Sequence, residues 1–268
     1  MRAFVSTVGA QPAEFVGRQW VSCFFSALLI MLSCTCAFGQ DLIEKRHSDV
    51  TRPEGAFGQP LVTANALRAP EKARKAVEKA TAALINHRPE EAGRQLSRAL
   101  ELYPNYAQAL TLRAIWKMPT DPSDSISDLQ HAIQVDPQYG LAYAVLAAIY
   151  NDSGRYDDAS PVILRASQLL PAAWQVHYEM ARTRFGQHRG SEALREINEA
   201  RRGMSADTGV SSGSCASVHY LRGVILMNQH ELAEARLEFE QTVKEEPAGT
   251  LAKTSHQLIA QLESDGIR

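Results

Sequence analysis

The sequence predicts an all-α fold built from repeated helical hairpins, and three observations support this prediction. Pro104, Pro137 and Pro171 lie 33 and 34 residues apart. Between these prolines, apolar residues recur every three or four positions, which is the pattern of a helix with one apolar face. Only 7% of the residues are aromatic and alanine is abundant. This balance favours close-packed helices over a β-sandwich.

The segment 140–171 is the clearest single hairpin in the sequence. Two amphipathic runs flank the tripeptide Asp152-Ser153-Gly154. Gly154 suits a sharp reversal because glycine tolerates a positive φ angle, and Pro171 ends the second run because proline lacks an N–H group. One hairpin of about 32 residues cannot bury its apolar surface alone, so it needs similar hairpins as neighbours.

Five such units follow one another in the chain, and a final helix closes the series. The predicted units are 73–106, 107–139, 140–173, 174–207 and 216–249, and the final helix is 251–263. The distance in sequence from the start of the fourth unit to the start of the fifth is about eight residues longer than between the other units. We predict a mobile loop over Met204–Ala216 because this segment is rich in Gly and Ser. Lys253, Gln257 and Gln261 share one face of the final helix, which is typical of a solvated cap.

The residues at fixed positions of these units resemble the tetratricopeptide repeat (TPR) family over Ala73–Pro247. That family has small residues at positions 8, 20 and 27, a large apolar residue at position 24 and proline at position 32. Matching residues are Ala80, Ala92, Leu96, Ala99 and Pro104 in the first unit; Ala147, Ala159, Ile163, Ala166 and Pro171 in the third; Ala181, Ala193, Ile197 and Ala200 in the fourth; and Gly223, Ala235, Phe239, Thr242 and Pro247 in the fifth.

Two units depart from the family pattern. The second has two prolines in its turn, with Ser125, Leu129 and Ala132 at the patterned positions and Asp121 or Ser123 available to cap its second helix. In the fourth, Gly203 is predicted to end the helix where the family has proline. The resemblance implies a right-handed superhelix in which the first helix of each unit lines the concave side.

The N-terminal segment 1–39 is predicted to be a signal peptide or a membrane anchor. Residues 20–39 carry no charge and end in small residues, so cleavage after Gly39 would export the protein to the periplasm or the medium. The same run is long enough to span a bilayer uncleaved. Residues 40–69 are predicted to form a flexible linker. Cleavage would leave Cys215 as the single cysteine, either a tolerated exposed thiol or one that is reactive or forms a disulfide between molecules.

The sequence favours a binding protein over an enzyme. The net charge of −2 offers no basic excess for nucleic acid. No zinc, nucleotide or nucleophile-elbow motif occurs, so we predict no metal, no cofactor and no catalytic residue. His177 and His219 occupy the same position in their units, where we expect them to pack. A membrane is predicted to be contacted only through the N-terminal segment, and only if that segment is uncleaved.

The TPR resemblance places one group of aromatic and cationic residues on the concave face. These candidate partner-binding residues are Tyr178, Arg182, Phe185, Tyr220 and Met227. Aromatic residues and arginine are enriched in binding hot spots. The alternative is that these side chains only pack between neighbouring hairpins. We therefore predict a non-catalytic scaffold of a bacterial cell envelope that binds a protein or peptide segment, or alternatively an accessory subunit of an envelope enzyme or assembly complex.

Overall fold

The computed structural model describes residues 63–206 and 210–267, which form twelve α-helices and no β-strand. The helices are α1 (Ala64–Arg68), α2 (Glu71–Ile85), α3 (Pro89–Leu102), α4 (Ala107–Lys117), α5 (Pro122–Val135), α6 (Gly140–Asp152), α7 (Tyr156–Leu169), α8 (Trp174–Gly186), α9 (Gly190–Ala206), α10 (Ser212–Asn228), α11 (Leu232–Glu245) and α12 (Thr250–Ser264). The prediction of an all-α fold is confirmed. The predicted leader and most of the predicted linker lie outside the described residues.

The described chain divides into two compact units. The first holds residues 63–149 and 165–172, and the second holds residues 150–164, 173–206 and 210–267. In the first unit α2 packs on α3 and α4 packs on α5. In the second unit α8 packs on α9, α10 packs on α11, and α12 packs on α11. Successive helices therefore pack as consecutive pairs, which is the arrangement expected of a solenoid of helical hairpins.

Small residues permit close helix packing in the first unit. Ala80 and Ala92, at positions 8 and 20 of the first hairpin, are fully buried together with Leu96. A Cβ atom added at Gly93 would lie 2.7 Å from Cζ2 of Trp116. The first two hairpins thus meet at a position where no side chain fits without displacing the indole ring.

The fifth hairpin, in the second unit, shows the same principle between Gly223 and Phe239. Phe239 is fully buried, as is Ala235 at position 20. A Cβ atom added at Gly223 would lie 2.7 Å from Cε1 of Phe239. The small residue at position 8 therefore makes room for the large residue at position 24.

Ala159 is a fully buried small residue at position 20 of the third hairpin. We expect Ala159→Leu to lower the free energy of unfolding by about 1–3 kcal/mol, because a larger side chain must displace packed neighbours. Thermal unfolding followed by circular dichroism measures the effect. Leu164→Ala, on the exposed side of the same helix, is the matched control and should change little. An unchanged melting temperature for Ala159→Leu would contradict the predicted repeat register.

In four of the hairpins, the residue at the same position of the turn adopts the left-handed conformation. It is Gly154 in the third hairpin, with φ at 68°, and a histidine in the others: His87 at 54°, His188 at 61° and His230 at 65°. In the third hairpin the N–H group of Arg155 donates to the carbonyl oxygen of Tyr150 at 2.8 Å. Such a bond across a left-handed residue is the Schellman motif, and it satisfies carbonyls at the end of a helix. The role predicted for Gly154 is confirmed.

The histidines in these turns are strained relative to glycine. We expect His188→Gly to raise the free energy of unfolding by up to about 1 kcal/mol, since glycine adopts a positive φ angle without a steric penalty. The reciprocal change Gly154→Ala should lower it by about 1 kcal/mol, although no atom lies within 4 Å of the added Cβ. Chemical denaturation of both variants provides the test. Equal stability of all three proteins would show that the turn conformation carries no strain.

The turn of the second hairpin is closed by Asp121. Its side chain accepts a hydrogen bond from the N–H group of Asp124 at 2.9 Å, and Pro122 is the first residue of α5. Proline suits this position because its missing N–H group would have no helical partner there. Ser125, at the patterned small position, is fully buried and donates to the carbonyl oxygen of Ala114 at 2.9 Å. Asp121, and not Ser123, is therefore the cap.

The segment around the predicted loop Met204–Ala216 is more helical than predicted. Helix α9 continues to Ala206 and α10 already begins at Ser212, where Ser211 caps it by accepting from the N–H group of Ser214. Gly203 does not end α9, which corrects the prediction. A Cβ atom added at Gly203 would lie 3.0 Å from Cβ of Trp174, so the glycine allows close approach to α8.

The end of the predicted linker is also helical and is hydrogen-bonded to the start of the second hairpin. Residues 64–68 form α1, with Thr63 as its cap. The side chain of Asn65 donates to the carbonyl oxygen of Asn105 at 2.8 Å and accepts from the N–H group of Ala107 at 3.0 Å. These two bonds fix the point at which the chain enters the array.

Helix α12 covers the fifth hairpin. Ala252, Ser255 and Leu262 are buried, whereas the predicted polar residues Lys253, Gln257 and Gln261 are exposed. The helix therefore buries one face and presents a polar one to water, as a capping helix does. Among the described helices, none is both long and apolar enough to cross a bilayer.

Candidate partner-binding surface

A buried polar cluster joins the end of α6 to α8 in the second unit, and we call it the Arg182 cluster. Arg182 donates through Nη2 to Oδ1 of Asp152 at 2.6 Å and through Nη1 to Oε2 of Glu179 at 3.1 Å. Asn151 donates through Nδ2 to Oε2 of Glu179 at 2.8 Å. Thr183 donates through Oγ1 to Oδ1 of Asn151 at 3.0 Å. Glu179, Arg182 and Thr183 converge because residues three and four apart share one helix face.

Burial controls the protonation of this cluster. Glu179 is fully buried, and burial raises its pKa although the positive charge of Arg182 opposes the change. Burial likewise raises the pKa of Asp152 against the charge of Arg182. Burial alone would lower the pKa of Arg182, but the charges of Glu179 and Asp152 outweigh it and raise that pKa. The guanidinium group thus stays charged and is the cation that holds both carboxylates in place.

The predicted binding residues divide into buried and partly exposed side chains. Tyr178 is 3% exposed and Tyr220 is 7% exposed, so neither ring is presented to a partner. The Tyr220 ring contacts that of Phe239, with centroids 5.9 Å apart. Phe185 and Met227 are partly buried against the hydrophobic core that contains Tyr220. For the two tyrosines the structure therefore favours the alternative of packing between hairpins.

The three predicted binding residues that are only partly buried form a candidate surface for contact with another protein. Arg182 and Phe185 lie three residues apart on α8 and so share one face of that helix, and Met227 lies on α10 against the same core as Phe185. We call these three residues the α8–α10 edge. It combines a guanidinium group, an aromatic ring and a thioether, which suits contact with both apolar and polar groups of another protein.

A second polar cluster joins α10 to α11. Glu238 accepts from Nδ1 of His219 at 2.7 Å and is paired with Arg222. Arg222 also donates through Nε to Oδ1 of Asn198 at 2.9 Å. Burial alone would raise the pKa of Glu238, but the His219 hydrogen bond and the Arg222 charge outweigh it and hold the pKa below its usual value.

His177 repeats this arrangement in the fourth hairpin. Its Nδ1 atom lies 2.9 Å from Oε2 of Glu196, which follows it by nineteen residues, as Glu238 follows His219. The two histidines therefore hydrogen-bond to the second helix of their own hairpins, a role beyond the packing that the sequence predicts. The shared spacing to glutamate is the sequence signal that identifies both pairs.

The Glu238 contacts predict a defined dependence of stability on pH. Glu238→Gln should lower the free energy of unfolding by about 1.5–3 kcal/mol at pH 7, because hydrogen bonds to a buried charge are lost. A lowered pKa means that the contribution is complete above the unfolded value of about 4.3 and disappears as the pH falls through the folded value. Urea denaturation between neutral and acidic pH measures the difference, with the exposed Glu234→Gln as control. A difference that persists at the acid end would contradict this assignment.

The hairpin turns of the second unit line a shallow, open cavity of about 410 Å³. It is lined by Gly154, Tyr156, Asp157 and residues 186–189. The Tyr156 ring lies directly over Gly186, so any side chain at Gly186 would clash with it. Gln187 donates through Nε2 to Oδ1 of Asp157 at 3.0 Å. Sequence reasoning did not identify this cavity. Within residues 63–206 and 210–267, no group of three or more His, Cys, Asp or Glu residues is placed to hold a metal ion.

No protein-family profile matches the chain, and no curated protein matches its sequence. Solved structures with the same fold do match. The Cut9–Hcn1 hetero-tetramer of the APC/C aligns with a TM-score of 0.66 at 17% identity, over 74% of this chain and 38% of that one. PilF of Pseudomonas aeruginosa aligns with a TM-score of 0.57 at 18% identity, over 72% and 89% of the two chains. TTC0263, a TPR protein of Thermus thermophilus, aligns with a TM-score of 0.57 at 14% identity, over 70% and 99%.

These alignments and the paired helices define the class of this protein. Its fold is an all-α TPR-type solenoid, as the spacing of small and large residues predicts. At sequence identities of 14–18%, these alignments show a shared fold and nothing further.

Proposed function

We propose that this protein is a non-catalytic scaffold that binds a segment of another protein along the α8–α10 edge. The observation that carries the proposal is the position of Arg182, whose side chain remains 10% exposed while the carboxylates of Asp152 and Glu179 hold it in place. A guanidinium group fixed in this way presents its charge in one orientation. It also loses little side-chain entropy when a partner binds. Phe185 and Met227 supply the apolar contact.

The proposed setting is the cell envelope. It rests on the sequence of residues 1–39, which have the charge distribution of an export signal or anchor. Fractionation of the native host, with the mass of the mature chain, tests this part of the proposal. Recovery of the full-length chain in the cytoplasm would contradict it.

A second candidate function is that of an accessory subunit within an assembly. The Cut9–Hcn1 structure, which matches this fold, is a hetero-tetramer, and this observation favours the second candidate. Blue-native electrophoresis of envelope extracts distinguishes the candidates. A stable complex of defined mass favours the accessory subunit, and a mixture of transient species favours the general scaffold.

Site-specific photocrosslinking tests the binding surface directly. A photoreactive amino acid is placed at Phe185 or Met227 in the full chain, and at Leu164 or Leu237 as controls. Both controls are exposed apolar residues of the second unit on the second helices of their hairpins. We expect adducts with the same partner from positions 185 and 227 and none from 164 and 237. The reverse pattern would place the partner elsewhere on the array.

A further inference from the structure

The first long helix of the array exposes a row of lysines. Lys72, Lys75 and Lys79 recur at spacings of three and four residues along α2, and all three are exposed. Residues with these spacings form one stripe on a helix. Ala73, Ala76 and Ala80 of the same helix are buried. We call the three lysines the basic stripe.

The basic stripe belongs to a hairpin with an excess of positive charge. Residues 64–106 hold eight Lys and Arg residues against five Glu residues, a net charge of +3, whereas the whole chain carries −2. Arg68 and Arg74, next to the stripe in sequence, are exposed as well. Within the basic stripe, Lys75 forms an ion pair and lies 2.6 Å from Glu71. Lys72 and Lys79 have no such contact among the ion pairs found in the described residues.

Solubility alone does not account for this excess. An array needs a polar surface on its terminal helices, and α12 meets that need without one dominant charge. The exposed charges of α12 are Lys253 and Glu263, which balance each other. The exposed face of α2 carries four cations and, with the half-buried Glu78, two anions. It is therefore basic as well as polar.

Exposed apolar residues accompany the basic stripe. Leu67 in α1 is 66% exposed and precedes Arg68, and Ile85 at the end of α2 is 40% exposed. The hydrogen bonds of Asn65 hold α1 in place, so Leu67 projects from a fixed element. Surfaces that adsorb to a bilayer combine Lys and Arg with a few apolar side chains such as leucine.

We propose that the basic stripe, with Arg68, Arg74 and Leu67, docks the first hairpin on a bilayer that contains anionic phospholipids. The apolar segment predicted at residues 20–39 precedes this hairpin in the chain. If that segment lies in the bilayer, only residues 40–63 separate it from α1 in the chain. Each cation then binds at a high effective concentration of lipid headgroups. This inference goes beyond the proposed function, since it requires no protein partner. It also adds a membrane contact to the one expected from the N-terminal segment.

Flotation of the full chain with vesicles tests the proposal. One vesicle set mixes phosphatidylglycerol with phosphatidylcholine, and the other is phosphatidylcholine alone. Residues 1–39 carry two Arg and one Glu residue and are the same in every variant. The change in the ratio of the two partition coefficients between variants therefore reports the charged surface of the first hairpin. We expect a preference for the anionic vesicles of about tenfold or more, and a loss of that preference in the triple variant Lys72→Gln/Lys75→Gln/Lys79→Gln and at high salt.

A second triple variant controls for the loss of charge. Arg195→Gln/Arg202→Gln/Lys253→Gln removes three exposed cations from the second unit, of which Arg202 is paired with Glu199 as Lys75 is with Glu71. This control should keep the preference for anionic vesicles. Equal loss in both triple variants, or no lipid preference in the unaltered chain, would overturn the proposal. Polyglutamate serves as a second probe, for an acidic protein partner. If the basic-stripe variant loses binding to polyglutamate but keeps binding to anionic vesicles, the surface recognises an acidic protein and the proposal is overturned.

Discussion

Replacing Arg182 by alanine is expected to lower the free energy of unfolding by about 3–5 kcal/mol. The guanidinium group is the cation that holds the carboxylates of Asp152 and Glu179, and its removal leaves both buried without a positive charge. Chemical denaturation measures the loss. Arg189→Ala removes an exposed ion pair with Glu192 and should cost less than about 1 kcal/mol. Similar losses in the two variants would contradict the account of a buried cluster.

The pH dependence of the Arg182→Ala variant gives an independent check. Burial already raises the pKa values of Glu179 and Asp152, and loss of the guanidinium charge raises them further. A carboxyl group with a raised folded pKa binds more protons in the folded state, so stability increases as the pH falls through that value. The difference in the free energy of unfolding between the variant and the unaltered chain should therefore become smaller between pH 7 and about pH 4. A deficit that grows on acidification would exclude charge burial as its cause.

Replacing Phe239 by alanine is expected to cost about 3–5 kcal/mol as well, for a different physical reason. The ring is fully buried and contacts Tyr220, so truncation removes buried apolar surface and leaves a cavity. This loss should vary little between pH 5 and pH 8, which separates it from the loss in Arg182→Ala. Leu237→Ala, an exposed change on the same helix, is the control. A loss below about 1 kcal/mol in Phe239→Ala would contradict its position in the core.

A double-mutant cycle then tests the repeat register itself. Gly223→Ala should destabilise the fifth hairpin because the new methyl group meets the Phe239 ring. In a Phe239→Leu background the smaller side chain leaves room, and the cost of Gly223→Ala should fall by about 0.5 kcal/mol or more. Additive losses would show that positions 8 and 24 do not face each other.

The repeat architecture could be predicted from the sequence because its determinants are periodic. Ala80, Ala92 and Leu96 each occupy a position whose size requirement recurs about every 34 residues, and the structure buries all three. The continuation of α9 past Gly203 could not be predicted in this way. Glycine is a common helix terminator, but at Gly203 its role is to admit Trp174, which is a tertiary contact.

The binding surface could be predicted only in part. Aromatic character suggested contact with a partner for Tyr178 and Tyr220, yet the same property makes a ring suitable for the core, where both lie. The Arg182 cluster draws Asn151 and Asp152 from the preceding hairpin, about 30 residues away in sequence. Within this cluster, only the spacing of three residues between Glu179 and Arg182 is a pattern that a sequence can indicate.

The proposal that the α8–α10 edge binds a protein partner is tested most directly by the dissociation constant of the crosslinked partner, once purified. Isothermal titration compares the unaltered chain with Phe185→Ala and Leu237→Ala, after circular dichroism has established equal helicity. We expect Phe185→Ala to raise the Kd about tenfold or more, as removal of a hot-spot aromatic does, and Leu237→Ala to leave it unchanged. Equal Kd values for all three proteins, or a larger effect at Leu237, would contradict the assignment of this edge.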